Sequence, residues 1–124
     1  MQGQDLPLLF DYAFQTWSYS KSHRKLVLRG RPAQDYDEFV DVVFSDVLGM
    51  KVASSYPRLS VSIAADASEV DDFLEMPERY DRGFVNLEVS DGTRRGFVVC
   101  KRVVVHRGTG WYGQEHASDD TPSS

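Results

Sequence analysis

Apolar residues along this chain recur mostly at every second position, in short runs separated by turn-forming residues, which is the period of β-strands covered on one face. Phe10, Tyr12 and Phe14 alternate, and Trp17 and Tyr19 then alternate in the opposite phase. One extra residue near Gln15-Thr16 reconciles the two sets, which predicts a bulged strand or two strands meeting at a bend. The polar stretch 21–25 leads into a short strand at Leu26-Val27-Leu28, ended by Gly30-Arg31-Pro32. A loop through residues 35–38 follows. Residues 39–47 alternate again, with Val40, Val42 and Phe44 on one face and Asp41, Val43 and Ser45 on the other. Their β-branched content favours strand over helix. Leu59, Val61 and Ile63 predict a further strand with serines facing out.

The strongest local signal lies in residues 84–105, where two β-rich runs flank Asp91-Gly92. That dipeptide suits a two-residue type I′ turn, because both central residues need positive φ. A two-residue loop would place Glu88 opposite Arg95 as a complementary cross-strand pair and Leu87 opposite Gly96, which could mark a bulge. Phe97, Val98, Val99 and Cys100 are apolar on both faces, as expected of a central strand covered by a second layer or of a strand in a small barrel.

One helix is predicted. Ser68-Glu69-Val70-Asp71 resembles a capping box, Val70, Phe73 and Leu74 follow at helical spacing, and Pro77 closes the segment, giving a short amphipathic helix over 69–76. The expected fold is mainly β (α+β), a single rolled antiparallel sheet or small barrel with one short helix. Its single domain spans residues 1–112, and the polar tail 113–124 is expected to be disordered.

A chain of 124 residues with 41% hydrophobic and 27% charged content has ordinary globular composition and can bury one core. The net charge of −5 argues against indiscriminate nucleic-acid binding, which needs a basic surface. A lone cysteine, Cys100, cannot form an internal disulfide and reads as a small buried hydrophobe. No apolar run approaches the ~20 residues of a membrane helix and the N-terminus lacks a basic leader, so the expected location is cytoplasmic, with no membrane partner.

Candidate chemistry is sparse. Asp35, Asp37, Glu38 and Asp41 cluster without the glycine and distal glutamate of a calcium loop, while Asp71, Asp72 and Glu75 suit the start of the short helix. His23, His106 and His116 stand far apart, with no zinc-type spacing. No nucleophile elbow, phosphate loop or dinucleotide fingerprint occurs. Accordingly no catalytic residue, metal or cofactor is assigned. Two groups of cations stand out: Arg24, Lys25 and Arg29 in the first third, and Arg94 and Arg95 on the hairpin. If they meet in space they form an anion-binding face, against the alternative of edge protection and surface ion pairs. Trp111 and Tyr112, held between Gly110 and Gly113, are candidate interface anchors; the alternative is that they cap the open end of the sheet.

Residues 16–30, from Thr16-Trp17-Ser18-Tyr19 through Leu26-Val27-Leu28-Arg29-Gly30, and the later Asp41-Val42-Val43-Phe44-Ser45-Asp46-Val47 carry a resemblance. The pattern resembles a group of small uncharacterised actinobacterial proteins, in which a Trp-x-Tyr-x-Val-Ser-like strand precedes a Leu-Leu-Leu-Arg strand and an Asp-Val-x-Phe strand. It covers roughly residues 16–63, departs at Lys21, where an apolar residue is expected, and transfers no activity or site. The organisation also looks like that of some toxin-immunity proteins, which neutralise a partner through an acidic surface. The favoured function is a non-enzymatic module binding a protein partner or a second copy of itself as a homodimer. The alternative is a small-molecule-binding protein or enzyme with a pocket in the curved sheet.

Overall fold

The computed structural model describes residues 2–3, 6–32 and 38–109. Among them the chain forms eleven strands: β1 (Gln2–Gly3), β2 (Leu8–Phe10), β3 (Phe14–Ser20), β4 (Lys25–Gly30), β5 (Glu38–Ser45), β6 (Gly49–Lys51), β7 (Ser55–Tyr56), β8 (Leu59–Ile63), β9 (Val85–Ser90), β10 (Arg95–Cys100) and β11 (Arg102–Thr109). An α-helix, α1 (Ser68–Leu74), and a 3₁₀ segment, Pro77–Arg82, connect β8 to β9. The mainly-β class with one short helix holds, but the strands form two sheets and close no barrel. The first sheet has the order β1-β11-β5-β4-β3-β7 and the second β2-β8-β9-β10-β6, antiparallel except where β1 joins β11.

The alternation read from sequence sets the faces. Leu26, Leu28, Val40, Val42, Phe44 and Val103 of the first sheet share one buried cluster with Leu59, Val61, Leu87, Val89, Val98 and Cys100 of the second. Two sheets each hydrophobic on one face bury those faces against each other. The other face of β10 is also covered. Phe97 and Val99 pack with Phe84, Val70 of α1 and the partly buried Leu74, which explains a strand apolar on both sides.

The phase change after Phe14 comes from the β3–β4 register, which slips between Thr16 and Ser18, so that Trp17 is the extra residue. The chain crosses from the second sheet to the first earlier, at residues 11–13 between β2 and β3. A second crossing occurs at Lys101, between β10 in the second sheet and β11 in the first, where the Lys101 N–H donates to Ser45 O at 3.1 Å.

Two local expectations are corrected. Arg95 pairs with Ser90 and Phe97 with Glu88, so Glu88 does not face Arg95, and Gly96 lies opposite Val89. Only Gly92 in this loop has positive φ (95°), whereas a type I′ turn needs two such residues. The Asp91 carboxylate instead accepts the N–H groups of Thr93 and Arg94, which widens the connection to residues 91–94. At α1 the cap residue is Ala67 and Ser68 makes no side-chain cap. Asp66 Oδ1 accepts the Ser68 N–H at 2.9 Å, and hydrogen bonds from the Ser68 N–H and then its hydroxyl hold the Asp66 carboxyl below the usual range.

Gly96 is used for close approach. A Cβ there would lie 1.9 Å from the Lys51 carbonyl oxygen, so only glycine lets the chain leaving β6 pass alongside β10.

Candidate functional site: a cationic cleft beside the β9–β10 loop

Two segments, residues 51–56 and the β9–β10 loop, wall a cleft of about 380 Å³. Its apolar lining is Val52, Ala53 and Tyr56, and its charged lining is Lys51, Arg94 and Arg95. The floor is fixed from below. Tyr56 is 2% exposed, and its hydroxyl accepts the Ala53 N–H at 2.8 Å. Thr16 holds the same stretch, with Oγ1 donating to Ala53 O at 2.9 Å and its N–H donating to Ser54 O at 2.8 Å.

The roof is held by the loop. Asp91 Oδ1 accepts the N–H of Thr93 (2.9 Å) and of Arg94 (2.7 Å), Oδ2 accepts Arg94 Nε at 3.3 Å, and Ser90 Oγ accepts the Gly92 N–H at 2.9 Å. The N–H of Arg94, then that of Thr93, depress the Asp91 pKa, with burial acting the other way. Arg94 Nη2 reaches across to Ser55 O at 2.8 Å, and its guanidinium lies 5.7 Å from the centre of the Tyr56 ring. Lys51 pairs with Glu69 at 2.8 Å on the open surface, where both side chains are more than half exposed. Such a pair contributes little and yields readily to a competing anion. Arg95 is exposed and makes no ion pair among the described residues.

Of the five cations singled out by sequence, Arg94 and Arg95 meet here and the others do not. Arg24 and Lys25 sit at the start of β4, where Lys25 pairs with Ser20. The cleft is at the other end of that strand, where Arg29 pairs with Gln15 and Gln15 with Ser55. Arg29 itself is buried in a bidentate pair with Asp41, Nε to Oδ1 at 2.7 Å and Nη2 to Oδ2 at 2.8 Å. Its guanidinium packs 4.4 Å from the Trp17 ring centre and 4.0 Å from that of Phe39, so it serves the outward face of the first sheet and cannot bind a solute anion. Trp111 and Tyr112, Asp35 and Asp37, and the 113–124 tail lie outside the described residues.

Lys51 and Tyr56 carried no sequence signal. They reach the site through the β6–β10 pairing and the β7–β3 pairing, which join distant parts of the chain. Gly96 was the one available hint, because an isolated glycine within a strand pattern marks a close backbone approach.

Other polar clusters are structural. Arg79, fully buried, donates Nε to Asn86 Oδ1 at 3.2 Å and Nη1 to Met76 O at 3.0 Å, and bonds Asp71 and the Tyr80 hydroxyl through Nη2. Asn86 also donates to that hydroxyl at 2.6 Å, so the network ties α1 and the 3₁₀ segment to β9. Burial pushes the Cys100 thiol up to about 12, which leaves it unreactive at neutral pH. Among the described residues no cluster of three His, Cys, Asp or Glu side chains could hold a metal ion, and no helix is long and apolar enough to cross a membrane. Comparison with protein-family models, with curated proteins and with solved structures found no match.

Proposed function

We propose that this protein is a non-enzymatic binding module that captures an acidic segment of a protein partner in the cleft of Lys51, Arg94 and Arg95. The observation that carries this reading is convergence. Cations from two separate elements gather around one concave, apolar-floored site in a chain whose net charge is −5. Arg94 is preorganised by Asp91 and Ser55, so little side-chain freedom is lost when it meets a carboxylate. Lys51 and Arg95 supply charge that a partner carboxylate takes up, and the apolar lining raises its effect by excluding water. The chain's own acidic surface makes a second copy one such partner, consistent with a homodimer.

The test is titration of fluorescein-labelled hexaglutamate followed by anisotropy, with hexalysine as the control. Wild-type protein is expected to bind hexaglutamate and not hexalysine, with affinity falling as salt rises. The double variant Lys51→Gln/Arg95→Gln is expected to bind at least tenfold more weakly at an unchanged melting temperature, since both side chains are exposed. Absence of binding, or equal binding by the variant, overturns the reading.

A further inference from the structure

The strand order leaves β6 at the edge of the second sheet, and two features of opposite charge flank it. One is the cleft with Lys51, Arg94 and Arg95. The other is α1, whose Val70 is buried against Phe97 and Val99, with Leu74 packed beside it. A helix brings residues three and four apart onto one flank, so Glu69 shares a flank with Asp72 and Phe73. Asp71 lies on the opposite flank, where it bonds Arg79. The first flank borders β6. Glu69 bonds Lys51 Nζ at 2.8 Å, and a Cβ built at Gly49 would lie 3.6 Å from the Phe73 ring.

The cations share that side of the sheet. Lys51 pairs with Phe97, and Arg95 stands two residues before Phe97 on the same strand, so both side chains point to the face that α1 covers. Arg95 also borders a smaller hollow of about 160 Å³, whose other walls include Asp66 and Glu69 at the start of α1, together with Glu88. Asp72 and Arg95 are both exposed, and neither makes an ion pair among the described residues. Phe73 is 58% exposed, although its ring meets that of Phe97 edge-on with centroids 5.4 Å apart. One surface thus carries a cationic cleft with an apolar floor and, beside it, an acidic flank with an aromatic ring.

We infer that the partner is a second copy of this chain, with Glu69, Asp72 and Phe73 of each copy seated in the Lys51, Arg94 and Arg95 cleft of the other. The inference rests on the acidic-segment reading and names the segment. A surface that holds a cleft and its complement side by side is self-complementary, so one two-fold axis beside β6 closes two identical contacts at once. Glu69 and Lys51 exchange partners between the copies. Asp72 and Arg95 gain the opposite charges they lack within the chain, and the Phe73 ring meets Val52 and Ala53 on the cleft floor. The complementary charges fix the orientation of the two copies, and the apolar contact adds burial.

The experiment is sedimentation velocity on the full chain at rising concentration, with two charge-reversed variants at exposed positions, Lys51→Glu/Arg95→Glu and Glu69→Lys/Asp72→Lys. Wild type is expected to double its mass as concentration rises, and to do so less readily in high salt. Each variant alone is expected to stay monomeric, because like charges meet in both contacts. Mixed in equal amounts, the two are expected to dimerise, since reversed helix meets reversed cleft and native helix meets native cleft. A monomeric wild type overturns the inference, as does a variant that dimerises alone or a mixture that does not dimerise. The neutral variant Glu69→Gln/Asp72→Asn leaves the cleft intact and is expected to dimerise at least tenfold more weakly than wild type while binding hexaglutamate. Should a reversed variant fail to fold, the neutral one decides by itself, and a dimer as strong as that of wild type overturns the inference. If the neutral variant binds hexaglutamate and wild type is monomeric, the second-copy inference falls alone. If the neutral variant does not bind hexaglutamate, the acidic-segment reading falls with it.

Discussion

Asp91 grips Arg94 at two points, its carboxylate accepting the Arg94 backbone N–H at 2.7 Å and the Arg94 Nε at 3.3 Å. The first contact sets the loop and the second aims the guanidinium over the cleft. One carboxylate thus links the hairpin connection to the proposed binding surface.

That link titrates. The Asp91 pKa is depressed by the Arg94 and Thr93 N–H groups, so the folded value lies below the unfolded ~3.9. A depressed carboxylate contributes stability that is fully present above the unfolded value and is lost as pH falls through the folded value. The difference in melting temperature between wild type and Asp91→Ala is therefore expected to be constant above about pH 5 and to shrink steadily below about pH 4. A difference that grows on acidification contradicts the assignment.

Arg29 and Asp41 make a different prediction, because their pair is buried at 1% and 0% side-chain exposure. Removing one partner strands the other charge away from water, at a cost of about 3–5 kcal/mol. Asp41→Ala is expected to lose about that much in urea denaturation. Arg29→Met combined with Asp41→Leu is expected to recover most of it, since a well-packed apolar pair often matches a buried ion pair. Arg29→Lys alone is expected to destabilise as well, because lysine lacks the planar fork that bonds Asp41 twice and stacks between Trp17 and Phe39.

How much of this was readable beforehand depends on whether the determining contact was local. The alternation of Val40, Val42 and Phe44 against Asp41 and Val43 gave a strand with two distinct faces, and β5 has them. The phase slip after Phe14 points to a bulged strand or a bend near Gln15-Thr16, and the bulge is there, at Trp17 within β3. Phe97–Cys100 gave a strand covered twice, by α1 and by the first sheet. The register of the β9–β10 loop departs from the two-residue turn that Asp-Gly favours, because the Asp91 side chain captures two N–H groups of its own loop. The change of sheet at Lys101 left almost no trace, since apolar residues continue on both sides of it without glycine or proline. The site was half legible. Arg94 and Arg95 are neighbours in sequence, whereas Lys51 and Tyr56 join them only through long-range strand pairing.

Trp111 and Tyr112 are expected to act as contact points for a partner or a second copy, since they are large amphipathic rings in a segment otherwise rich in glycine and polar residues. Changing both to Ala is expected to abolish self-association or partner binding, read by native mass spectrometry, with the melting temperature unchanged. A loss of several degrees in melting temperature with association intact would assign them to the fold instead.

Gly96 joins fold and site most directly. The absent side chain at this position lets the Lys51 carbonyl approach to within 1.9 Å of where a Cβ would stand, and the contact is with backbone that no rotamer change can relieve. Gly96→Ala must therefore push β6 away from β10 and disturb the pairings of Lys51 with Phe97 and Met50 with Val98. Overpacking of this kind costs about 1–3 kcal/mol, or more where backbone must shift. Because Lys51 walls the cleft, the same change is expected to weaken hexaglutamate binding, which separates it from an ordinary core defect. Lys51→Gln/Arg95→Gln is expected to lose binding without losing stability, whereas Gly96→Ala is expected to lose both. Urea denaturation and anisotropy on the same samples distinguish the two patterns. Retained hexaglutamate affinity in a destabilised Gly96→Ala protein would show that the β6–β10 approach does not position the cleft.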